Sequence, residues 1–264
     1  MITLLSKIPQ DLFGAAGYIF SKYGSLFFFG AKNTLYIALS GTIIGLIIGL
    51  GIGILRALPV YDYDSKLKHW IVKAVRIITS VYVEVFRGTP MMVQAVFIYN
   101  AFLRVFKNSK LLAGIVIVSI NTGAYMAEII RSGIQSLDKG QNEAARSIGM
   151  NNTQTMVFVI LPQAIKNAFP AIGNEFVVNI KDTSVLNVIG VTELFFQSTT
   201  VAGIIYRFSD TFFVSALIYL FLTYSTTLIL KYIEGKMQIS GFDGPSSQTT
   251  PLIKGHFKAK EPKQ

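Results

Sequence analysis

The sequence predicts an all-α integral membrane protein with five transmembrane helices, an N-terminus outside the cell and a C-terminus in the cytoplasm. Of its 264 residues, 52% are hydrophobic and only 14% are charged, whereas a typical soluble domain has about 25% charged residues. The mean hydropathy of the chain is +0.51. Five largely uncharged runs alternate with polar segments along the chain, which is the pattern of a helical bundle in a bilayer.

The distribution of Lys and Arg decides the number and orientation of the spans. With five spans, 16 of these residues lie on the cytoplasmic side and 7 lie outside. A sixth crossing at 183–206 would give 11 inside and 12 outside. Cytoplasmic loops normally carry the excess of Lys and Arg. We therefore expect 183–206 to be a re-entrant or outer-surface segment.

Several classes of function are excluded by what the sequence lacks. It has no cysteine, which rules out disulfides, thiolate metal sites and a Cys nucleophile. His69 and His256 are far apart, so a His-based metal site is not expected. No phosphate-binding loop motif occurs, and we expect a chain that is not an enzyme and holds no cofactor. The net charge of +10 comes from cations scattered around the spans, which indicates membrane orientation rather than nucleic-acid binding.

The first 30 residues and the run that follows them are expected to differ in their relation to the membrane. Residues 1–30 contain apolar patches interrupted by charges, which predicts an interfacial segment. The 23 uncharged residues between Lys32 and Arg56 predict the first span. Four glycines in this span recur every fourth residue and would let another helix approach closely. They are Gly41, Gly45, Gly49 and Gly53.

The second and third spans are predicted at 88–103 and 111–127. A polar connection, 56–76, precedes the second span, and Pro90 can occupy the first turn of its helix, where the missing N–H is tolerated. The third span ends at Glu128 and Arg131, which are three residues apart and share a helix face. An interfacial salt bridge and a role in gating both remain open for this pair.

A polar segment, 132–166, follows the third span. Its central part predicts a short helix over 143–148, with Glu143 near the positive N-terminal end. Gly149 suits the end of that helix because glycine tolerates a positive φ. The sequence therefore predicts a compact helical protrusion between two spans.

The fourth span, 167–186, is unusual because it carries charges inside an apolar helix. Glu175, Asn179 and Asp182 fall on one stripe of a regular helix, and Lys181 points about 120° away from Glu175 at roughly 100° per residue. Buried ionised groups are costly, so they face a partner or an aqueous path. The stripe can bind substrate or can pair only with other helices.

The fifth span is predicted at 211–230. A polar tail, which we assign to 236–264, follows it and contains several glycines and a Lys-rich end. Its composition is typical of a disordered segment.

Three motifs resemble those of a known family. Glu143-Ala144-Ala145, then Gly149, then Leu161-Pro162 resembles the cytoplasmic signature loop of bacterial ABC importer permeases, with Val159 where the pattern has Ile. The stretches Arg87-Gly88-Thr89-Pro90 and Lys181-Asp182-Thr183-Ser184 resemble motifs of the polar amino acid uptake class. The resemblance covers most of 31–235.

This resemblance implies the fold of a type I ABC importer permease and assigns roles to individual residues. The residues implied in coupling to an ATPase are Glu143, Ala144, Ala145, Arg146, Gly149, Leu161 and Pro162. The polar stripe of the fourth span and the resembling stretch together give the candidate substrate-path residues, which are Glu175, Asn179, Lys181, Asp182, Thr183 and Ser184. The candidate gating residues are Glu128, Arg131 and Arg87.

The family also implies a set of partners in the bacterial inner or plasma membrane. They are a second permease subunit, identical or homologous, two cytosolic ATPases that use ATP and Mg, and an extracytoplasmic solute-binding protein that delivers a polar amino acid. Two acidic positions favour a basic amino acid, but Lys181 could equally receive a carboxylate.

Two other classes of function remain open at this stage. A secondary transporter or channel could use an ion gradient through Glu175 and Asp182, although such transporters commonly contain internal repeats and we find no convincing repeat. A membrane scaffold or sensor subunit would not need a charged fourth span.

Overall fold

The computed structural model describes residues 8–57, 65–103, 105–106 and 109–239, with side chains up to residue 236. This part of the chain is helical and contains no strand, which confirms the all-α prediction. The helices are α1 (Leu12–Ala57), α2 (Lys66–Gly88), α3 (Met91–Ala101), α4 (Lys110–Gln135), α5 (Lys139–Ser147), α6 (Asn152–Gln154), α7 (Leu161–Asp182), α8 (Leu194–Ile205) and α9 (Phe208–Ile239).

Helix α1 is continuous over 46 residues, and this corrects the expected boundary between residues 30 and 31. At a rise of about 1.5 Å per residue it is roughly twice as long as a bilayer core is thick. Lys22 and Lys32 do not interrupt it, because lysine is a good helix former. The side chain of Asp11 accepts a hydrogen bond from the Gly14 N–H at 2.6 Å and so stabilises the helix start. The interfacial location of 1–30 stays a prediction.

Four helical segments of the described chain are long and apolar enough to cross a membrane. They are Leu12–Ala57, Lys110–Gln135, Asn152–Ile189 and Phe208–Lys236. The first, third, fourth and fifth predicted spans correspond to these segments, with longer helices than expected. The total of five spans and the placement of the two termini stay predictions.

The predicted second span and the polar connection before it need correction. Helix α3 has 11 residues, and about 20 are needed for one crossing. The connection expected at 56–76 is in its described part, from residue 65, largely the start of helix α2. Its charges lie on an exposed face, and Val72, Thr79 and Val83 form the buried side, as in an amphipathic helix.

The break between α2 and α3 is caused by Pro90. Thr89 has φ −121° and ψ 147°, the extended conformation that is favoured before proline. Pro90 itself is the N-cap residue of α3. The polypeptide therefore turns at Arg87-Gly88-Thr89-Pro90 and leaves the backbone there available to line a cavity.

The four glycines of α1 lie against α4, as the sequence predicted. A Cβ atom placed on Gly41, Gly45, Gly49 or Gly53 would come within 3.0 Å of α4 atoms. The α4 residues concerned recur every fourth position, so each glycine meets one side chain of a matching stripe. They are Val118, Thr122, Met126 and Ile130. Because these four positions carry no side chain, α1 and α4 can approach each other closely.

Gly49→Ala should destabilise the protein by about 3 kcal/mol, because overpacking of a tight contact costs about this much. The new methyl group would meet the backbone N of Ala127 at 2.8 Å. The free energy of unfolding in detergent measures the effect. Gly51→Ala is the matched control, since no atom lies within 4 Å of the added group. Equal stability of the two variants would contradict the close packing of α1 on α4.

The second half of the fold also differs in detail from the expected spans. A π-helical turn, Thr155–Ile160, leads into α7, and a 3₁₀ segment, Thr183–Ile189, follows α7, so the fourth span begins before residue 167. Helix α8 has 12 residues, fewer than a crossing requires, and the re-entrant or outer-surface location of 183–206 stays a prediction. Helix α9 continues to Ile239. This corrects the start of the predicted tail, and residues 240–264 lie outside the described part.

Candidate functional site

The predicted helical protrusion is helix α5. It begins after Asp138, whose side chain accepts a hydrogen bond from the Gly140 N–H at 2.6 Å. The helix therefore starts four residues before the predicted position, because Asp138 caps it and Glu143 does not. Gly149 has φ 89°, and its N–H donates to the Arg146 carbonyl at 3.0 Å. This confirms the predicted helix end.

One face of α5 is attached to the bundle and the other is exposed. Ala145 is buried, and Gln163 of α7 donates to the side chain of Gln141 at 3.3 Å. Glu143, Ala144 and Arg146 are exposed. Of the predicted coupling residues, Ala145 thus packs the helix against the bundle, and the other three form what we call the α5 outer face.

The remaining predicted coupling residues flank this face. Ile148, next to Gly149, is 79% exposed. Leu161 and Pro162 form the first turn of α7, where proline is tolerated. The π-helical turn Thr155–Ile160 separates them from α5 along the chain. The predicted coupling segment is therefore a short helix that lies between the end of α4 and the start of α7.

An ion-pair cluster joins the ends of α1 and α4 near this segment. Glu128 forms the predicted salt bridge with Arg131. It also pairs with Arg56, the basic residue in the last turn of α1, at 3.2 Å. Arg131 donates in addition to Gln135 at 2.6 Å. The structure therefore confirms the bridge and adds Arg56, which fixes α1 to α4 at this end.

The third candidate gating residue, Arg87, takes part in a different site. Its guanidinium lies 5.5 Å from the centre of the Tyr125 ring. Both residues line a cavity of about 460 Å³ next to the α2–α3 break. Asp182 lines the same cavity from α7. We call this the Arg87–Asp182 cavity.

A hydrogen-bond network holds one wall of the cavity in place. The side-chain amide of Gln94 donates to the Phe86 carbonyl at 2.9 Å and to the Thr89 hydroxyl at 2.8 Å. Asn121 of α4 donates to the Gln94 side-chain oxygen at 2.8 Å. Gln94, which is itself held by Asn121, therefore bonds groups on both sides of the helix break. These bonds position the Arg87-Gly88-Thr89-Pro90 turn.

The polar stripe predicted on the fourth span is divided between two environments. Asn179 is only 3% exposed, donates to Thr42 at 2.8 Å and accepts from Thr122 at 3.1 Å. It therefore ties α7 to α1 and α4. Glu175 is half-buried and interacts electrostatically with Asp182 and Arg87. Glu175 and Asp182 are therefore the charged part of the stripe, whereas Asn179 serves in helix packing.

The other predicted substrate-path residues are placed apart from the cavity lining. Lys181 is exposed on another face of α7, as its angular position predicted. Thr183 is buried and donates to the Ile180 carbonyl at 3.0 Å. Ser184 is half-buried. In the described chain, no group of three or more His, Asp or Glu residues could hold a metal ion.

Sequence reasoning missed the role of Glu193. This residue is fully buried and caps α8 by accepting from the N–H groups of Phe195 and Phe196 at 2.8 and 2.7 Å. Tyr219 of α9 donates to the same carboxylate at 3.0 Å. The signal was a single acidic residue directly before an apolar run, which is a helix start. Glu193 therefore joins α8 to α9.

Comparison with known proteins gives consistent matches over most of the chain. A family model described as a binding-protein-dependent transport system inner membrane component matches residues 68–239. The glutamine transport system permease protein of Escherichia coli strain K12 is 37% identical over 213 residues, covering 80% of this chain and 92% of the relative. A putative glutamine transport system permease protein of Rickettsia bellii is 34% identical over 221 residues, covering 83% of this chain and 97% of the relative.

Solved structures share the fold. The crystal structure of an amino acid ABC transporter with histidines has a TM-score of 0.73 and 36% identity, covering 87% of this chain and all of that chain. The inward-facing MetNI methionine ABC transporter has a TM-score of 0.67 at 21% identity, covering 80% of this chain and 96% of that chain, and supports the fold alone.

The family match includes most of the helices that build the site, from α2 to α9. The relatives are transport permease subunits, so a stand-alone secondary transporter and a scaffold subunit do not fit them. The chain belongs to the family of binding-protein-dependent transport system inner membrane components, and it is the multi-pass transmembrane permease subunit of an ABC importer.

Proposed function

We propose that this subunit moves a polar amino acid inwards across the bacterial inner or plasma membrane, together with a second permease subunit that is identical or homologous. An extracytoplasmic binding protein delivers the substrate, and two separate cytosolic ATPases supply the energy from ATP with Mg. The observation that carries this proposal is the α5 outer face. It is a charged, exposed helix surface on a segment anchored at both ends.

The α5 outer face is suited to receive force from a docked ATPase. Ala145 and the Gln141–Gln163 bond attach the helix to α7, and Asp138 fixes its start. A push on Glu143 or Arg146 would therefore displace the ends of α4 and α7 together. Coupling of this kind is rigid-body movement of packed helices.

Gly149→Val should lower uptake about tenfold without reducing the amount of protein in the membrane. No atom lies within 4 Å of an added Cβ, but the φ of 89° is strained for any other residue, at a cost of about 1–2 kcal/mol. The end of α5 would rearrange to relieve that strain. Uptake and ATP hydrolysis by the reconstituted importer measure the result.

Gly203→Val is the control for this change. Gly203 also has open space around it, but its backbone is in the ordinary helical region of α8. Uptake in this variant should match that of the unmodified importer. Equal uptake by the Gly149→Val and Gly203→Val variants would contradict a coupling role for the end of α5.

The Arg87–Asp182 cavity is suited to bind the backbone groups of a free amino acid. Arg87 offers a guanidinium that matches a carboxylate, and Asp182 offers an acceptor for an ammonium group. Both charges face one space of about 460 Å³, within the usual size range of ligand sites. We propose that the substrate crosses with its carboxylate on Arg87 and its ammonium group near Asp182.

The position of Glu175 bears on which substrate side chain is accepted. Glu175 places a second carboxylate near Asp182, which favours a cationic or amide side chain over an acidic one. The named relatives transport glutamine, whose amide fits this chemistry. Uptake of labelled glutamine, arginine and histidine by proteoliposomes with the ATPase and binding protein tests the proposal. Equal uptake by this chain alone would contradict it.

A further inference from the structure

A second cavity lies where the ends of α1 and α4 meet the start of α5. Its volume is about 610 Å³, and it shares no lining residue with the Arg87–Asp182 cavity. Helix α2 and the π-helical turn Thr155–Ile160 complete its walls. We call it the α5 cavity. Any group bound there would contact both the bundle and the segment that carries the α5 outer face.

Cations dominate the polar lining of the α5 cavity. Arg56, Arg76, Arg131 and Lys139 face it, together with one carboxylate, Asp138. That carboxylate already accepts the Gly140 N–H. A guanidinium has five N–H donors. Arg56 uses one nitrogen to reach Glu128 at 3.2 Å, and Arg131 uses three of its five N–H groups for Glu128 and Gln135. The described surroundings of this cavity therefore favour an anion.

The position of Lys139 points the same way. It is the first residue of α5, where the helix dipole disfavours a cation and favours an anion. A bound anion at this point would interact favourably with the lysine and with the positive end of the helix dipole. Lys139 is thus placed for a ligand, although its position is unfavourable for the helix alone.

Thr155 supplies an independent indication of a polar ligand. It lines the α5 cavity, is 2% exposed and has a side-chain oxygen with no hydrogen-bond partner among the described residues. Buried hydroxyl groups are normally bonded. Thr155 also opens the π-helical turn, and π-helical turns are frequent at functional sites.

The rest of the lining is mixed, since Ser80, Gln135, Asn142 and Asn152 are polar. Its apolar part indicates the kind of anion. Ala57, Ile134 and Ile160 are part of it. Arg56 and Arg131 lie near the ends of two helices that are long and apolar enough to cross a membrane, and phospholipid headgroups surround the ends of such helices. We infer that the α5 cavity binds a phosphate group, carried by an anionic phospholipid of the leaflet on the α5 side. Basic pockets at helix ends bind such headgroups.

Binding there would link lipid composition to coupling. The phosphate would bridge Arg56 of α1, Arg131 of α4 and Lys139 of α5, and so hold the coupling segment in one position relative to the bundle. This site is separate from the substrate route proposed above and does not depend on which amino acid is carried.

Native mass spectrometry of the purified full chain tests the inference, with phosphatidylglycerol and phosphatidylcholine as probes. We expect one retained phosphatidylglycerol and at least tenfold weaker retention of phosphatidylcholine. Lys139→Gln should weaken phosphatidylglycerol retention about fivefold, the effect of one charge near lipid phosphates. Thr155→Val should weaken it by a similar factor, that of about one hydrogen bond.

Two control variants change the same groups outside the α5 cavity. Lys73→Gln removes a lysine of α2, and Thr153→Val removes an exposed hydroxyl two residues before Thr155; neither residue lines the α5 cavity. Both should retain lipid as the unmodified chain does. Unchanged retention in Lys139→Gln and Thr155→Val, or no preference for phosphatidylglycerol, would overturn the inference.

A competition arm separates the two sources of phosphate. Millimolar inorganic phosphate should leave the bound phosphatidylglycerol in place if the lipid is the ligand. Displacement would support a soluble phosphate at the same residues, provided that Lys139→Gln weakens that binding as well.

Discussion

Asp182→Asn is expected to lower uptake of the transported amino acid about 100-fold while the amount of importer in the membrane stays the same. Truncating one partner of a buried charge contact costs about 2–5 kcal/mol, and tenfold corresponds to about 1.4 kcal/mol. Asp182 lines the Arg87–Asp182 cavity, where we propose that it accepts the substrate ammonium group. Initial uptake rates in proteoliposomes measure the change.

Two further variants make this result specific. Glu175→Gln should lower uptake about tenfold, because Glu175 acts on the same region from a half-buried position. Asp11→Asn is the control, since asparagine also caps a helix well and Asp11 lies at the start of α1. Normal uptake in both the Asp182→Asn and Glu175→Gln variants would mean that the charges of α7 only stabilise helix contacts.

Glu143→Lys should reduce ATP-driven uptake about 30-fold and separate it from ATP hydrolysis. A reversed charge facing its partner surface costs several kcal/mol. Glu143 is exposed on the α5 outer face, and its backbone carbonyl, not its carboxylate, accepts from Ser147 at 2.9 Å. The subunit should therefore fold normally. The ratio of substrate transported to ATP hydrolysed measures the loss of coupling.

Asp11→Lys introduces the same change of charge at the opposite end of α1 from the predicted coupling segment. Because it also removes the cap of α1, transport and ATP hydrolysis are compared per importer present in the membrane. Arg56, at the other end of α1, lines the α5 cavity together with Lys139, so the two test positions are separated by the length of that helix. We expect near-normal coupling in this control. An identical fall in both variants would assign the effect to charge in general and not to the α5 outer face.

The parts of the fold that sequence predicted are those set by local patterns. Gly41, Gly45 and Gly49 recur at one-turn intervals, and this spacing alone predicts a close helix contact, which is made with α4. Gly149 was predicted with a positive φ because few other residues can end a helix in that way. The Glu128–Arg131 bridge follows from a spacing of three residues on one helix.

Helix α2 shows how a charge count can mislead. Its lysines suggested a connecting loop, but its buried residues Val72, Thr79 and Val83 follow helical spacing, and Ser65 caps its start. The amphipathic period was the better signal. Pro90 sets the start of α3 at Met91 because it is the N-cap residue, whereas the sequence predicted it within the first turn of the span.

The remaining contacts depend on residues far apart in the chain. Arg56 and Glu128 are 72 residues apart, and Asn179 and Thr42 are 137 apart. Periodicity identifies neighbours within one helix but not the partner on another. For this reason the sequence predicted that Glu175, Asn179 and Asp182 lie on one stripe of the helix. It did not predict that Asn179 is buried while the two carboxylates are half-buried.

Cross-linking from Ala144 tests the central claim, that α5 passes force from a separate ATPase. The chain has no cysteine, so Ala144→Cys creates a single reactive position on the α5 outer face. In inverted membrane vesicles that contain the whole importer, a short cross-linker with one maleimide and one photoreactive group should join this position to the ATPase, and ATP should change the yield. A product with the extracytoplasmic binding protein, or labelling of Cys only from the outer side of the membrane, would contradict the account.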